Sequence, residues 1–192
     1  MESKILLLKD KTDYVLKVTD DEIINVTGSV GSGKSTYGIN HRHNKDFIVI
    51  DFDSIGSDND PDTLTDDILE LRKKLAKNHD DLTIDEIHFY DEIVSFIKSK
   101  NKKGIIVGGH LMHMKNISDF KGTIIVKRTA RFKCFYRSAY RDFKNPAWRV
   151  GLTRWGVFKR FFRCFKRRFH HVFPQKQVPI FIDRLEKYNK LS

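Results

Sequence analysis

The stretch Gly28-Ser29-Val30-Gly31-Ser32-Gly33-Lys34-Ser35 decides the fold of this chain. It fits the pattern GxxxxGK(S/T), and it lies between an apolar run at residues 22–27 and a segment of helical character at 34–43. The glycines let successive backbone N–H groups converge on phosphate oxygens, which Cβ atoms would obstruct. The stretch therefore predicts a phosphate-binding loop (P-loop) between a strand and a helix.

The residue types in this loop predict how a nucleoside triphosphate is bound. A helix that begins at Lys34 places its positive dipole end against the phosphates. We expect Lys34 to contact the β- and γ-phosphates as a catalytic residue, and the Ser35 hydroxyl to bind Mg²⁺, with ATP as the nucleotide. The complete set of expected nucleotide contacts is Gly28, Ser29, Val30, Gly31, Ser32, Gly33, Lys34, Ser35 and Thr36.

Outward from the loop, apolar runs alternate with stretches of helical spacing. Strands are predicted at 22–27, 47–52, 104–107, 122–126 and 178–182, and helices at 34–43, 63–77, 84–97, about 130–173 and the C-terminus. This alternation predicts an α/β fold, a three-layer P-loop NTPase of the nucleoside or nucleotide kinase type with a parallel sheet and a basic helical lid. An extra β-hairpin is predicted at residues 5–18. No linker interrupts the sequence, so one domain over 1–192 is expected.

Composition limits the class of protein. The chain has 192 residues and is 40% hydrophobic, which suits one domain with a core of its own. Two cysteines are too few for a disulfide framework or a four-ligand zinc site. The sequence shows neither a signal peptide nor a run of apolar residues long enough to span a membrane, so a cytoplasmic protein without a transmembrane segment is expected.

Charge is distributed unevenly along the chain. Residues 51–92 contain fourteen acidic side chains against four basic ones, whereas residues 127–176 contain sixteen Lys and Arg against one acid. Within the basic part, residues 155–173 place the aromatic side chains of Phe158, Phe161, Phe162, Phe165 and Phe169 on one helical face. Three interpretations follow: a lid helix whose aromatic face packs on the sheet and whose basic face is in solvent, a nucleic-acid surface, or a membrane surface.

Two further motifs resemble those of a kinase family. Ile50-Asp51-Phe52-Asp53 follows the second predicted strand, and Arg137-Ser138-Ala139-Tyr140-Arg141-Asp142 follows the fourth. With these motifs, residues 22–183 resemble P-loop kinases of the uridine kinase and nicotinamide riboside kinase type. The resemblance implies transfer of the γ-phosphoryl group of ATP to a small hydroxylated acceptor, a nucleoside or nucleotide.

The same resemblance implies roles for single residues. Asp53 is expected to accept the proton of the acceptor hydroxyl, and Arg137 and Arg141 are expected to be the catalytic cations of a lid over residues 128–176. The family has a glutamate at the end of its third strand where this chain has Gly108. Asp51 is therefore expected to supply the carboxylate near Mg²⁺.

A rival interpretation uses Leu82-Thr83-Ile84-Asp85-Glu86-Ile87, which also looks like a Walker B strand with its acidic pair. The surrounding segment is similar to type II thymidine kinases, but the paired cysteines of their zinc lobe are missing. On this interpretation Asp85 orders Mg²⁺ and Glu86 is the general base of a P-loop ATPase or a nucleic-acid-linked NTPase. The capping box of Thr83 and Glu86 instead favours the helix at 84–97.

Overall fold

The structure is a computed structural model that describes residues 13–52, 55, 65–78, 89–129, 131–144, 154–172 and 177–191. The strands are β1 (Asp13–Lys17), β2 (Ile23–Gly28), β3 (Phe47–Asp51), β4 (Lys103–Val107) and β5 (Thr123–Lys127). The helices are α1 (Lys34–His41), α2 (Asp66–Leu75), α3 (Tyr90–Ser99), α4 (Arg131–Lys144), α5 (Arg154–Val172) and α6 (Gln177–Leu191). Two 3₁₀ turns, His110–His113 and Ile117–Asp119, lie between β4 and β5.

The described strands form one sheet in the order β1-β5-β2-β4-β3. β2 lies in the middle, parallel to both β4 and β5, and β3 is parallel to β4. The predicted all-parallel sheet is wrong at one edge, because β1 pairs with β5 in the antiparallel direction. β1 is a short edge strand in which Leu16 is buried and Lys17 exposed, so it can cover the open side of β5 with one face in water. Of the predicted hairpin at 5–18, residues 5–12 lie outside the described part of the chain.

Helices cover both faces of the sheet, which gives the predicted three layers. On one face α1 packs against β3 and β4, where a Cβ on Gly38 would lie 3.1 Å from Val49 and Val107. On the other face the larger core contains apolar residues of α2, α3 and α6 against the strands, among them Ile68, Ile93 and Phe181. The carboxyl ends of the parallel strands therefore meet at one edge, the edge at which the P-loop begins.

A buried polar network joins the larger core to the middle of the sheet. The Tyr90 hydroxyl donates to Asn25 Oδ1 at 3.0 Å and accepts from the backbone N–H of Lys121 at 2.9 Å. Asn25 in turn donates to the Lys121 carbonyl at 2.7 Å. Burial raises the pKa of Tyr90 to about 12, against the lowering effect of the two hydrogen bonds. The network fixes the start of α3 to β2.

The structure changes or refines three of the predicted secondary-structure elements. The predicted strand at 178–182 is wrong, since α6 begins at Gln177 and buries Phe181 and Leu185 at helical spacing, with Pro179 tolerated in its first turn. The basic helical stretch predicted at about 130–173 contains two helices in the described residues, α4 and α5. The helix expected at 84–97 is seen from Tyr90 to Ser99, and residues 84–88 lie outside the described part.

Candidate functional site

The P-loop connects the end of β2 to the start of α1. Gly33 precedes the helix with a φ of +96°, and Gly31 has a φ of +79°, conformations that L side chains rarely adopt. The Tyr37 N–H closes the first helical turn on the Gly33 carbonyl at 3.0 Å. A Cβ on Gly33 would meet no atom within 4 Å. The space in front of the helix N-terminus is thus open to a ligand, where backbone N–H groups and the helix dipole favour an anion.

The rest of the loop is held from behind by β5 and α4. A Cβ on Gly28 would lie 2.7 Å from the Lys127 carbonyl oxygen, and one on Gly31 would lie 2.5 Å from the Cys134 carbonyl oxygen. The Thr129 hydroxyl donates to the Ser32 carbonyl at 3.0 Å. Glycine is therefore required at two loop positions for close approach of neighbouring backbone, and the loop and α4 are packed as one unit.

A cavity of about 690 Å³ opens in front of the loop, which is the size of a small-molecule site. Its described lining residues are Val30, Gly31, Ser32, Gly33, Lys34, Ser35, Thr36, Tyr37, Asn40, Lys127, Arg137, Ser138, Arg141 and Arg168. Five of these are cations and none is a carboxylate. Such a lining attracts a polyanion of the size and charge of a nucleoside triphosphate.

The structure brings most of the predicted site residues together. Residues 30–36 of the predicted contact set line the cavity, and Gly28 and Ser29 form the base of the loop, where the Lys34 ammonium donates to the Ser29 carbonyl at 3.2 Å. Arg137 and Arg141, one turn apart on α4, line the same cavity. The two arginines predicted as lid cations thus lie at the P-loop cavity, and their catalytic role stays a prediction.

The predicted carboxylates are placed differently. Asp51 ends β3 and is buried, with 5% of its surface exposed, and it is not among the residues that line the cavity. It is in register with Val107 of β4, which is in register with Val26 of β2, so Asp51 lies two strands from the P-loop strand. Asp53, Asp85 and Glu86 lie outside the described part of the chain, and the metal and general-base roles stay predictions.

Five lining residues were not predicted as site residues from the sequence: Tyr37, Asn40, Lys127, Ser138 and Arg168. Lys127 ends β5, forms an ion pair with Asp13 of β1, and lies 5.2 Å from the centre of the Tyr37 ring. Its position at the carboxyl end of a strand was the signal that could have identified it. Arg168 of α5 corrects the expectation that the basic face of this helix is turned to solvent, and no local sequence signal marks it.

The residues present fit a nucleotide with Mg²⁺. The Ser32 Oγ atom is buried and has no hydrogen-bond partner among the described residues, so the loop holds an unused polar group beside the cavity. Ser35 lines the cavity in the first turn of α1. Within the described residues no group of three or more His, Cys, Asp or Glu side chains is placed to hold a metal. Among the described residues, the Ser35 hydroxyl would hold Mg²⁺ together with phosphate oxygens, as is common for this ion.

Electrostatics link α4 to the loop. Burial raises the pKa of the Cys134 thiol, and the nearby Arg137 and Lys34 charges oppose this rise. Both cysteines are free thiols. Burial likewise raises the pKa of Tyr37, with Asp13 adding to the effect.

The aromatic residues Phe161 and Phe165 of α5 pack on α4, which corrects the interpretation that the aromatic face of this helix packs on the sheet. Phe165 contacts Phe135 with ring centres 5.4 Å apart, and Phe161 contacts Phe143 at 5.5 Å. α5 and α4 thus form a helical pair that brings Arg168, Arg137 and Arg141 to one cavity. None of the helices in the described ranges is both long and apolar enough to cross a membrane.

Comparison with known proteins identifies the family. The profile of a family described as an AAA domain matches residues 20–127, more than half of the chain. No curated protein and no solved structure matches. The match supports the P-loop class predicted from the sequence, and it gives no support to the uridine kinase and nicotinamide riboside kinase type in particular. The chain therefore belongs to the AAA domain family, and its P-loop is of the ATPase type that binds nucleotides.

Proposed function

We propose that this protein hydrolyses ATP with Mg²⁺ in the cavity between the P-loop and α4. One observation supports this most directly: Arg137 and Arg141 line the same cavity as Lys34 and the open N-terminus of α1. Cleavage of the γ-phosphoryl group spreads negative charge over its oxygens, and cations fixed around that charge lower the barrier. In this chain, Arg137 and Arg141 of its own helix α4 would be these cations.

Each residue has a part in the proposed reaction. The N–H groups of residues 31–35 donate to phosphate oxygens, and the Lys34 ammonium leaves the Ser29 carbonyl to contact the β- and γ-phosphates. Ser35 would hold Mg²⁺, which when bound neutralises charge on the phosphates. Arg137 and Arg141 act on the charge that develops in the transition state. α4 and α5 cover the cavity and restrict the access of bulk water.

A second function, transfer of the γ-phosphoryl group to a small hydroxylated acceptor such as a nucleoside or nucleotide, is favoured by one specific observation. Asp51 is a buried carboxylate at the carboxyl end of β3, at the edge of the sheet from which the P-loop leaves β2. A kinase of the resembled type has acidic groups at this end of the strand, and Asp53 lies two residues after Asp51 in the sequence. In the ATPase proposal the acidic pair Asp85 and Glu86 would serve Mg²⁺ and water.

The test compares two pairs of arginines with the same spacing. Replacing Arg137 and Arg141 with Ala should lower kcat on the order of 100-fold or more, because a transition-state cation is lost, while nucleotide affinity falls much less. Replacing Arg163 and Arg167, an exposed pair four residues apart on α5, should leave kcat nearly unchanged. Lys34→Ala defines the inactive reference.

The products distinguish the two functions. If the protein is an ATPase, ADP and inorganic phosphate appear in equal amounts without any acceptor. If it is a kinase, ADP forms only when an acceptor from a panel of nucleosides and nucleotides is present, and free phosphate stays near background. Equal losses of kcat in the two arginine pairs would contradict the role of α4 in either reaction.

A further inference from the structure

α5 carries a stripe of phenylalanines that the phosphate site does not use. Phe158, Phe162, Phe165 and Phe169 follow one another at the helical spacing i, i+4, i+7 and i+11. Phe165 is partly buried by its contact with Phe135 of α4. The other three are exposed over 51%, 56% and 51% of their surface, respectively. Exposed aromatic residues in a continuous stripe are uncommon on a water-facing helix and indicate a binding surface.

A stripe of basic side chains lies directly beside the aromatic one. Lys159, Arg163 and Lys166 each follow a stripe position by one residue, and all three are exposed. No acidic residue occurs anywhere between 143 and 182. The partner of this surface must therefore combine negative charge with an apolar layer that accepts phenylalanine.

The ring geometry distinguishes between anionic partners. Phe158 and Phe162 lie 4.8 Å apart with their planes at 63°, so the edge of one ring is directed toward the face of the other. A single-stranded nucleic acid needs aromatic faces spaced to receive successive bases. An interlocked pair of rings instead forms one apolar ridge. A ridge of phenylalanines flanked by Lys and Arg is the composition of helices that lie in the interface of an anionic bilayer.

The surface leaves the nucleotide cavity open. Arg168, which lines the cavity, lies almost opposite Lys166 on the helix, since two residues correspond to about 200° of rotation. Phe162 is about 120° from Arg168 around the helix, and Phe158 is about 80° from it but about 15 Å away along the axis. A bilayer in contact with Phe162 and Lys166 would therefore be turned away from the phosphates. Docking and nucleotide binding are sterically compatible.

We propose that α5 is a peripheral membrane anchor, which docks on anionic phospholipid headgroups through Lys159, Arg163 and Lys166 and inserts Phe158 and Phe162 among the acyl chains. Phe169 continues this surface along the helix. The anchor lies on the bilayer and does not span it, in agreement with the lack of a membrane-spanning helix in the described ranges. The proposal is independent of the reaction at the P-loop.

Co-sedimentation of the whole chain with vesicles tests the anchor. The protein should bind phosphatidylcholine vesicles that contain phosphatidylserine and bind pure phosphatidylcholine weakly. Changing Lys159, Arg163 and Lys166 together to Gln should weaken binding to the anionic vesicles on the order of 100-fold. Phe158→Ser with Phe162→Ser should weaken it about 10-fold or more.

Matched controls lie on other helices. One control variant changes three exposed lysines to Gln, Lys73 and Lys74 in the last turn of α2 and Lys77 just after it. The other changes the exposed Leu69 and Ile180 to Ser. These control variants should bind vesicles as the unchanged protein does, and circular dichroism checks that every variant is folded. The proposal is overturned by equal losses in test and control variants, by equal binding to both vesicle types, or by no vesicle binding. It is also overturned if the α5 variants abolish oligonucleotide binding or self-association while vesicle binding is absent.

Discussion

Replacing Gly31 with Ala tests whether the P-loop and α4 are packed as one unit. The new Cβ would lie 2.5 Å from the Cys134 carbonyl oxygen and 3.1 Å from the Cys134 Cα. Both atoms belong to the backbone of α4, so the contact cannot be relieved by turning a side chain. The positive φ of Gly31 adds backbone strain of about 1–2 kcal/mol, and the overpacking adds about 1–3 kcal/mol.

Gly33→Ala is the matched control, because its φ is also positive but its Cβ would meet no atom within 4 Å. Its φ of +96° is farther from the left-handed minimum than the +79° of Gly31, so its backbone strain is at least as large. Any excess destabilisation of the Gly31 variant then measures the contact with α4. We expect an excess of about 1–3 kcal/mol in urea denaturation without nucleotide, or about 2–12 °C in Tm. Equal destabilisation of the two variants would refute the packing of α4 on the loop.

Two further predictions concern ionisable groups in the interior. Tyr90, whose pKa is raised from 10.0 to about 12, stabilises the fold fully below pH 10 and loses this contribution, about 3 kcal/mol, as the pH rises to 12. Tyr90→Phe should lower stability at pH 8 and flatten its fall between pH 10 and 12 in denaturant titrations, and an unchanged slope would contradict the assignment. Cys134, buried and with a raised pKa, should react with a thiol reagent at least about 10-fold more slowly than Cys164, and similar rates in mass spectrometry would place Cys134 at the surface.

The sequence predicted the P-loop because the information is local. Its glycines, Lys34 and Ser35 are contiguous, and a strand and a helix must flank them. The helix at α2 was also predictable, since its apolar spacing is regular and Thr65 caps it by accepting from the Ile68 N–H at 3.3 Å. The segment at 178–182 was assigned to a strand because its apolar residues are dense. Their spacing, with Phe181 and Leu185 four apart, was the better guide.

The features that could not be predicted from the sequence depend on contacts between residues far apart in the chain. The antiparallel direction of β1 depends on how residues 18–22 connect it to β2, and the sequence pattern of a strand does not contain its direction. Arg168 reaches the cavity only because phenylalanines of α5 pack on α4, which no helical pattern could show. Arg137 and Arg141 were identified through a family resemblance and their spacing of four residues. Lys127 was missed although the end of a central parallel strand is a favoured ligand position.

The charge of the cavity is therefore a property of tertiary structure, whereas the phosphate-binding backbone is a property of the loop. Lys34 and the first turn of α1 form their anion site from adjacent residues, but Arg137 and Arg141 are in place only while α4 packs on Gly31. In the proposed reaction, backbone N–H groups bind the triphosphate of the ground state, and the arginines act mainly on the transition state. Loosening of α4 should thus reduce turnover before it reduces nucleotide binding. Because Thr129 and Cys134 contact the adjacent loop residues Ser32 and Gly31, α4 and the segment after β5 set the loop geometry together.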